Sequence, residues 1–393
     1  MARVLAVIDG EHYAPVVRDA LAGLDHDVVA AFLAGGTEKL RGGEEYGVPV
    51  LRDFDAALAE LEPELVIDLS DEPILSPRER LLLASRALAR GAVYEGADFR
   101  FEPPAFAPFP LPSLAVIGTG KRVGKTAITG HVARLLARER DVVVVAMGRG
   151  GPPEPELMEA PPTVDDLVAL SRAGRHAASD YLETAVLAAV VTIGCRRCGA
   201  GMAGAAVDSN VLAGAALAAE RKPDIVVFDG SGAAIPPVAA DARVLVAHDV
   251  ASGLNPYRVL VSDLVLTMDD GVAEQARALT DAPVLEFDLR LRPVTPLDGR
   301  RTAVFTTGPA PVDHLDADVV HVSRNLARRD LLAAELEELD AEVFLVEIKA
   351  AAIDVVAEAA RERGAEVVFA DNEVVADGLD DALLALVPQK VRT

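Results

Sequence analysis

The residues of this chain that are best suited to chemistry lie in one short stretch. Gly118 to Thr126 reads Gly-Thr-Gly-Lys-Arg-Val-Gly-Lys-Thr and fits the G-x-x-x-x-G-K-T pattern of a phosphate-binding loop. Its glycines let backbone N–H groups approach phosphates, and the following helix N-terminus adds positive potential. We expect the loop to hold the phosphates of ATP, with Lys125 on the β and γ oxygens and Thr126 on Mg²⁺. The residues predicted to bind the nucleotide are Gly118, Thr119, Gly120, Val123, Gly124, Lys125 and Thr126.

A carboxylate that could hold the same metal ion follows about one hundred residues later. Ile225 to Gly232 is an apolar run that ends in Asp229 and then glycines, which predicts a buried strand with an acid at its carboxyl end. Asp229 is therefore the predicted partner of Thr126, although an ordinary strand-ending turn would have the same composition. Glu156, in a proline-rich turn, is a further candidate for a metal contact, and a solvated loop is the alternative.

Positive charge is concentrated in two windows that contain no carboxylate. Glu102 and Glu139 enclose the first window, which includes Lys121, Arg122 and Lys125, and Glu183 and Asp208 enclose the second. Two such cationic windows on an acidic protein suggest sites for small polyanions. Lys121, Arg122 and Arg149 lie at or near the carboxyl ends of predicted strands, where open α/β sheets bind ligands, and Arg149 is predicted to bind substrate. A solvated surface position is the alternative for Arg149 and for Lys121.

The second window contains the sequence Cys195-Arg196-Arg197-Cys198. Arginine binds phosphate through two parallel hydrogen bonds, and the surrounding glycines predict a loop that wraps an oxyanion. All four residues are predicted to bind substrate. A redox or metal site is the alternative for Cys-x-x-Cys, but the chain has no other cysteine to complete a four-thiolate centre.

A further candidate site lies near the start of the chain. Asp9-Gly-Glu-His12 and Gly35 to Lys39 each follow a predicted strand, so both segments are expected at one edge of a sheet, where loops often bind ligands. Glu11 and His12 are predicted substrate contacts on this basis. Structural turns are the alternative for both segments.

Apolar runs of strand length alternate with helical patterns along the whole chain. We predict an α/β fold with a small α/β domain over 1–112, a P-loop core with a central doubly wound parallel sheet over 113–295, and a smaller α/β unit over 296–393. Five prolines between Glu102 and Pro112 predict a stiff linker at the first boundary.

The composition excludes several classes of function. A formal charge of −24 and a pI near 4.7 disfavour binding to nucleic acid or to anionic membranes. No apolar run reaches the length needed to span a bilayer, and the first apolar stretch is interrupted by Asp9 without a preceding basic region. The expected partners are small molecules, and the expected location is the cytoplasm.

The motifs taken together resemble those of a known family. Asp9-Gly-Glu-His12, the Gly118 to Thr126 loop, Met147-Gly-Arg-Gly-Gly-Pro152, Thr192 to Gly199 and Phe228-Asp-Gly-Ser-Gly-Ala-Ala-Ile-Pro-Pro237 resemble cyclic 2,3-diphosphoglycerate synthetase over essentially the whole chain. That family is one of the P-loop enzymes related to dethiobiotin synthetase-like ligases.

The resemblance implies closure of 2,3-diphosphoglycerate into a cyclic pyrophosphate, driven by ATP and Mg²⁺, and it suggests a homodimer. Lys121, Arg122, Lys125 and Asp229 would be the catalytic residues. The alternatives are a 2-phosphoglycerate kinase or a carboxylate ligase on the same scaffold, and a nucleotide-switched chaperone or metal-insertion protein.

Overall fold

The computed structural model describes residues 1–175, 179–337, 339–348 and 353–387, and in these ranges the chain forms three α/β units, each built on its own sheet. The first sheet has the strand order β3-β2-β1-β4-β5-β6 and is parallel except for β6. Its elements are β1 Arg3–Ile8, α1 Ala14–Gly23, β2 Asp27–Leu33, β3 Val50–Leu51, α2 Phe54–Leu61, β4 Leu65–Asp68, α3 Pro77–Ala89, β5 Val93–Glu95 and β6 Arg100–Phe101.

The central unit carries the phosphate-binding loop. Its sheet has the order β11-β10-β8-β12-β7-β13-β14-β15, with β9 also paired to β10, and is parallel except for β9 and β11. The elements are β7 Ser113–Gly118, α4 Lys125–Leu136, β8 Val142–Gly148, β9 Glu156–Met158, α5 Val164–Arg172, α6 Asp180–Ala188, β10 Val191–Cys198, β11 Asp208–Ser209, α7 Val211–Arg221, β12 Ile225–Asp229, β13 Ala242–Ala247, α8 Asn255–Leu260, β14 Leu264–Thr267, α9 Asp270–Arg277 and β15 Val284–Glu286.

The third unit has the strand order β16-β20-β19-β17-β18, and β16 is antiparallel to β20. Its elements are β16 Asp288–Pro293, β17 Arg301–Phe305, β18 Asp318–Ser323, α10 Arg329–Leu336, β19 Val343–Glu347, α11 Ile353–Arg363, β20 Glu366–Val375 and α12 Leu379–Leu386. Because β16 precedes residue 295 yet belongs to this sheet, we propose to place the second domain boundary before Asp288.

Alternation along the central strands explains why helices cover both faces of the sheet. In β7, Leu114 and Val116 belong to one apolar core, whereas Ala115 and Ile117 belong to the other. A strand whose two faces are both buried is a continuous apolar run, as this one is. The predicted fold class, a doubly wound parallel sheet with the P-loop between two smaller α/β units, is confirmed.

Contacts between the units bring the outer domains against the central one. Helix α3 packs on α8, and Ala107 of the proline-rich segment donates its N–H to the Pro237 carbonyl at 3.0 Å. On the other side, the buried Asp371 of β20 pairs with Arg134 of α4 at 3.1 Å and with Arg292 of β16 at 2.8 Å. The helix that begins at the phosphate-binding loop is thus anchored to the third unit.

The prediction of a loop at Cys195-Arg196-Arg197-Cys198 is wrong. Strand β10 continues through these residues because β8 pairs with it as far as Arg196 and β11 pairs with Arg197 and Cys198. Glu156 likewise lies on a strand, β9, instead of in a turn. Within the described ranges, no helix combines the length and apolarity needed to cross a membrane.

Candidate functional site

The phosphate-binding loop connects β7 to α4 and has the backbone that such a loop requires. Arg122 and Gly124 adopt positive φ angles of 57° and 98°, and Gly124 caps α4 without a side-chain hydrogen bond. The N–H groups of the first turn are therefore left for an anion. Val123 is buried beneath the loop, whereas Lys121 and Arg122 are exposed.

Lys125 folds back over the loop. Its Nζ donates to the Gly120 carbonyl at 2.8 Å, and the residue is only 8% exposed. A Cβ atom built on Gly118 would lie 2.7 Å from Lys125 Cδ, so glycine at 118 makes room for this conformation. Burial lowers the pKa of Lys125, and the nearby carboxylates of Asp229 and Asp180 partly oppose that shift.

Asp229 ends β12, as the sequence predicts, and its side chain is buried at the site. Thr129, one turn beyond the loop on α4, donates its hydroxyl to Asp229 Oδ1 at 3.0 Å. Burial, followed by the negative charge of Asp180, raises the pKa of Asp229 to about 7, although Lys125 and the Thr129 bond act in the opposite direction. A carboxyl group in this position would be ionised fully by a bound cation.

Asp180 is a site residue that the sequence reasoning missed. It begins α6, where acids are common for helix-dipole reasons alone, so its type and position carried no functional signal. Its Oδ2 lies against the end of β8, since a Cβ atom built on Gly148 would be 3.8 Å away. Ser179 ties this helix start to the loop after β8 by donating to the Gly150 carbonyl at 3.1 Å.

The two arginines of β10 have different environments. Arg197 donates to the carbonyls of Ser231 at 2.7 Å and Gly199 at 3.1 Å, whereas the Arg196 side chain is exposed and its backbone N–H donates to Asn210 Oδ1. Burial and then the charge of Arg149 lower the pKa of Arg197, and Asp180 partly offsets them. Arg197 thus joins the cluster around the loop.

Lys121 reaches the same place from the loop itself. A Cβ atom built on Gly232 would lie 3.1 Å from Arg197 Nη2 and 4.0 Å from Lys121 Cγ. The structure therefore brings the P-loop, the β12 exit and the β10 arginine together at one edge of the sheet. We use the name anion cluster for the charged residues at this edge that are expected to surround a bound anion and its metal ion. They are Lys121, Lys125, Arg149, Asp180, Arg197 and Asp229.

The buried Arg258 of α8 holds two of the loops around the cluster. It is 2% exposed, and it donates to the Ala233 carbonyl at 2.6 and 3.0 Å and to the Met202 carbonyl at 2.9 Å. Burial lowers its pKa to about 10. Met202 follows β10 and Ala233 follows β12, so one guanidinium fixes the loops that continue from Arg197 and Asp229.

The cysteines of β10 do not form a pair. Both are free, and because they are three positions apart on a strand their side chains point to opposite faces. Cys195 is buried against α7, where a Cβ atom on Gly214 would lie 2.3 Å from its Sγ. The expectation that the Cys195 side chain contacts substrate is therefore corrected, because the thiol faces the core.

We expect iodoacetamide to alkylate Cys198 and to leave Cys195 unmodified in the folded protein at about pH 8. Cys198 is exposed, whereas burial raises the pKa of the Cys195 thiol to about 12, with a small opposing contribution from the Gly214 N–H. Mass spectrometry of the labelled peptides measures this difference. In concentrated guanidinium chloride both should react, and labelling of Cys195 in the native protein would contradict the buried strand.

Three other predicted residues are engaged elsewhere. His12 bonds to Asp9 at 2.8 Å and to Asp71 at 3.3 Å, and Glu11 accepts the N–H groups of residues 37 and 38, all at the edge of the first sheet. Their binding of substrate stays a prediction. Glu156 pairs with Arg175, and its strand is separated from β12 by β10 and β8, or about 14 Å at the usual strand spacing.

That separation is too large for Glu156 and Asp229 to share one ion, so the assignment of Glu156 as a metal ligand is corrected. No group of three histidine, cysteine or carboxylate side chains suited to a metal occurs in the parts of the chain that the structure describes. The residues that remain as candidate metal ligands are Asp229, Asp180 and Thr126, which lies in the first turn of α4.

Comparison with known proteins assigns the family. Models of cyclic 2,3-diphosphoglycerate synthetase match residues 3–102 (N-terminal domain), 113–281 (P-loop domain) and 293–373 (C-terminal domain). Proteins named cyclic 2,3-diphosphoglycerate synthetase are 49% identical in Rubrobacter xylanophilus, over 98% of this chain and 97% of the relative, and 42% identical in Thermococcus gammatolerans, over 85% and 84%. A relative of the same name in Methanothermus fervidus is 36% identical over 85% of this chain and 84% of its own length. The chain belongs to the cyclic 2,3-diphosphoglycerate synthetase family.

Proposed function

We propose that this protein uses ATP to close 2,3-diphosphoglycerate into cyclic 2,3-diphosphoglycerate, with release of ADP and phosphate. The proposal is supported by the names of its relatives. The structural observation that carries it is the anion cluster, in which Arg197 lies beside Lys121 of the phosphate-binding loop at the carboxyl edge of the sheet and is influenced by the charge of Arg149. This concentration of positive charge occurs in a protein with net charge −24.

The main barrier to this reaction is charge repulsion. A phosphate monoester has a second pKa near 6 and is already a nucleophile at neutral pH, so no general base is required. Bringing a substrate with two phosphates and a carboxylate against ATP instead requires fixed positive charge in a site with little water. The anion cluster supplies such charge from residues held by backbone and side-chain hydrogen bonds.

The reaction would proceed in two displacements. An oxygen of one substrate phosphate attacks the γ-phosphorus of ATP, and the bond from that phosphorus to the β,γ-bridging oxygen breaks. ADP leaves, and the attacking phosphate of the substrate has become a diphosphate. An oxygen of the neighbouring phosphate then attacks the inner phosphorus of that diphosphate. A P–O–P bond closes the ring as the outer bond breaks and inorganic phosphate leaves.

The residues divide between nucleotide and substrate. The backbone from Gly118 to Thr126 and the Lys125 ammonium would hold the triphosphate, while Lys121 and Arg122 neutralise the transferred group. Arg197 and Arg149 would bind the glycerate phosphates. Of the arginine pair, Arg197 takes the larger part in this proposal because its guanidinium is turned toward Ser231 and the loop.

The acid pair fits a divalent cation. Asp229 is fully buried, and burial first and the nearby charge of Asp180 second raise its pKa, so a bound cation would favour the ionised carboxylate. We propose that Asp229, Asp180 and the Thr126 hydroxyl hold Mg²⁺. When bound, the ion would add positive charge at the β and γ oxygens of ATP.

The remaining parts of the proposal concern assembly and location. A homodimer is proposed because two-fold pairing is the commonest assembly of soluble enzymes. The cytoplasm is proposed because ATP is available there and both cysteines are free thiols. Light scattering of the purified protein would test the dimer.

Phosphorus NMR of the purified protein with ATP, Mg²⁺ and 2,3-diphosphoglycerate tests the reaction. We expect a cyclic pyrophosphate signal that appears together with ADP and inorganic phosphate in equal amounts, and we expect no signal from the Lys125→Ala variant. ADP without a cyclic product would overturn the proposal. A linear diphosphoglycerate formed when 2-phosphoglycerate replaces 2,3-diphosphoglycerate in the same experiment, with no cyclic product from either substrate, would favour a kinase.

A further inference from the structure

Ser231 has a buried hydroxyl without a hydrogen-bond partner among the residues that the structure describes. The residue follows Gly230 in the loop after β12 and is 2% exposed. Arg197 donates from Nη2 to the Ser231 carbonyl, and its Nε is likewise buried with no partner in the described ranges. Buried polar groups are almost always satisfied, so two adjacent exceptions need a reason.

The backbone around Ser231 is fixed in a way that leaves the hydroxyl unused. Ser231 N–H donates to the Ala234 carbonyl at 3.3 Å, and the Ser231 carbonyl accepts from Ala234 N–H at 3.0 Å and from Arg197 Nη2 at 2.7 Å. Gly232 follows with a positive φ of 61°. A tight, pre-formed turn with a free donor is the arrangement expected of a binding group and not of a turn that merely ends a strand.

The location specifies the charge of the missing partner. Ser231 is two residues beyond Asp229, and Lys121 and Arg197 both border the adjacent Gly232. A neutral O–H donor and a guanidinium N–H donor in a cationic environment match the oxygen atoms of a phosphate. Arg197 is the residue proposed above to bind a glycerate phosphate, and its Nη2 donates to the Ser231 carbonyl, so a substrate phosphate is favoured here over the ATP triphosphate.

We propose that the Ser231 hydroxyl and the Arg197 Nε–H form a subsite for one phosphate of 2,3-diphosphoglycerate, and that Ser231 helps the site to select a diphosphorylated substrate. This inference rests on the proposed function. A monophosphoglycerate would lack one of the two phosphates and would leave a subsite empty. The discrimination between the two ligands is therefore the property that Ser231 controls.

The test compares two serine variants whose expected behaviours are opposite. Because the Ser231 hydroxyl is unpartnered in the free protein, Ser231→Ala should not lower the melting temperature, but it should weaken binding of 2,3-diphosphoglycerate about tenfold. Ser262→Ala is the matched control. Its hydroxyl is also buried but donates to the Arg258 carbonyl at 2.7 Å, so its loss should lower the melting temperature by a few degrees and leave substrate affinity unchanged.

Isothermal titration calorimetry in the absence of nucleotide gives the dissociation constants for 2,3-diphosphoglycerate, 2-phosphoglycerate and 3-phosphoglycerate, and a separate titration gives that for ADP. In Ser231→Ala the preference for 2,3-diphosphoglycerate should fall about tenfold over the one monophosphoglycerate that lacks the phosphate held by Ser231, and should stay unchanged over the other. The affinity for ADP should stay within about twofold of wild type.

Three results would overturn the inference in distinguishable ways. If the wild-type protein makes the cyclic product but Ser231→Ala binds the phosphoglycerates as tightly as wild type does, Ser231 is not part of the subsite. The proposed function would still stand. Wild-type protein that neither binds 2,3-diphosphoglycerate nor turns it over would overturn the proposed function, and the subsite with it. Weakened ADP binding in Ser231→Ala would assign the hydroxyl to the nucleotide instead.

Discussion

Replacing Asp229 by asparagine is expected to lower the rate of product formation by about a thousandfold or more and, in the absence of Mg²⁺, to stabilise the folded protein. The loss of rate follows from the proposed magnesium site, because an amide could not supply the negative charge that Asp229 would contribute to it. The gain in stability follows because the carboxylate is buried beside Asp180, which raises the pKa of Asp229 to about 7, whereas an amide carries no charge to desolvate.

The sign of the pH dependence follows from the raised pKa. Between the unfolded pKa of about 4 and the folded pKa of about 7, the folded protein binds more protons at Asp229 than the unfolded chain does, so this group makes stability fall as the pH rises. The amide of the variant would not titrate. The stability advantage of Asp229→Asn over wild type should therefore grow by about 2–3 kcal/mol between pH 5 and pH 8.

Chemical denaturation of the metal-free proteins at several pH values measures this advantage. Asp249→Asn is a control of opposite sign. Burial raises the pKa of Asp249, but hydrogen bonds from Ser252 and Ala251 outweigh it and lower the pKa overall, so the ionised form stabilises the fold above about pH 4. Asp249→Asn should be less stable than wild type at neutral pH. If Asp229→Asn were also less stable than wild type, the conclusion that burial beside Asp180 destabilises the ionised Asp229 would be contradicted.

Replacing Arg197 by alanine is expected to raise the KM for 2,3-diphosphoglycerate about a hundredfold, while Arg196→Ala changes it less than about fivefold. Arg197 is turned toward Ser231 at the anion cluster, whereas Arg196 is exposed on the neighbouring position of the same strand. Each substitution removes one guanidinium group, and the two groups belong to adjacent residues of β10, so each variant is a control for the other.

Initial rates at saturating ATP and varied substrate measure the two KM values, and ADP binding checks that the loop is intact in both variants. We expect ADP affinity to be nearly unchanged, because the α4 N-terminus and Lys125 do not depend on Arg197 for their hydrogen bonds. Equal losses in the two variants would mean that both arginines bind the same phosphate. A loss confined to Arg196→Ala would reverse the assignment.

The nucleotide half of the proposed site could be predicted from the sequence because the residues that define it are contiguous. A loop with glycines at fixed positions, a lysine and a threonine between an apolar strand and a helix folds locally, and Asp229 was found because an acid after a buried strand lies at the same sheet edge. The substrate half was not predictable in detail, because it depends on how strands separated in sequence are ordered in the sheet.

The arginine strand illustrates the difference. Glycine and arginine are weak strand formers, so Gly194 to Gly199 reads locally as a loop, yet pairing with β8 and β11 extends β10 through Cys198. That extension gives the two arginines different directions, which a loop assignment could not supply. Glu156 was misassigned for the related reason that proximity in sequence to β8 does not place a residue near β12 in the sheet.

By itself the sequence determined the α/β class, the phosphate-binding loop, the acid at the end of β12 and the family, because each is encoded in local residue types, in apolar periodicity or in motif order. Tertiary structure alone decided that Asp180 lies beside Asp229, that Arg197 and not Arg196 turns toward Ser231, and that Cys195 faces the core. These relations depend on strand order and on which face a side chain occupies, and a shift of one residue along a strand reverses that face.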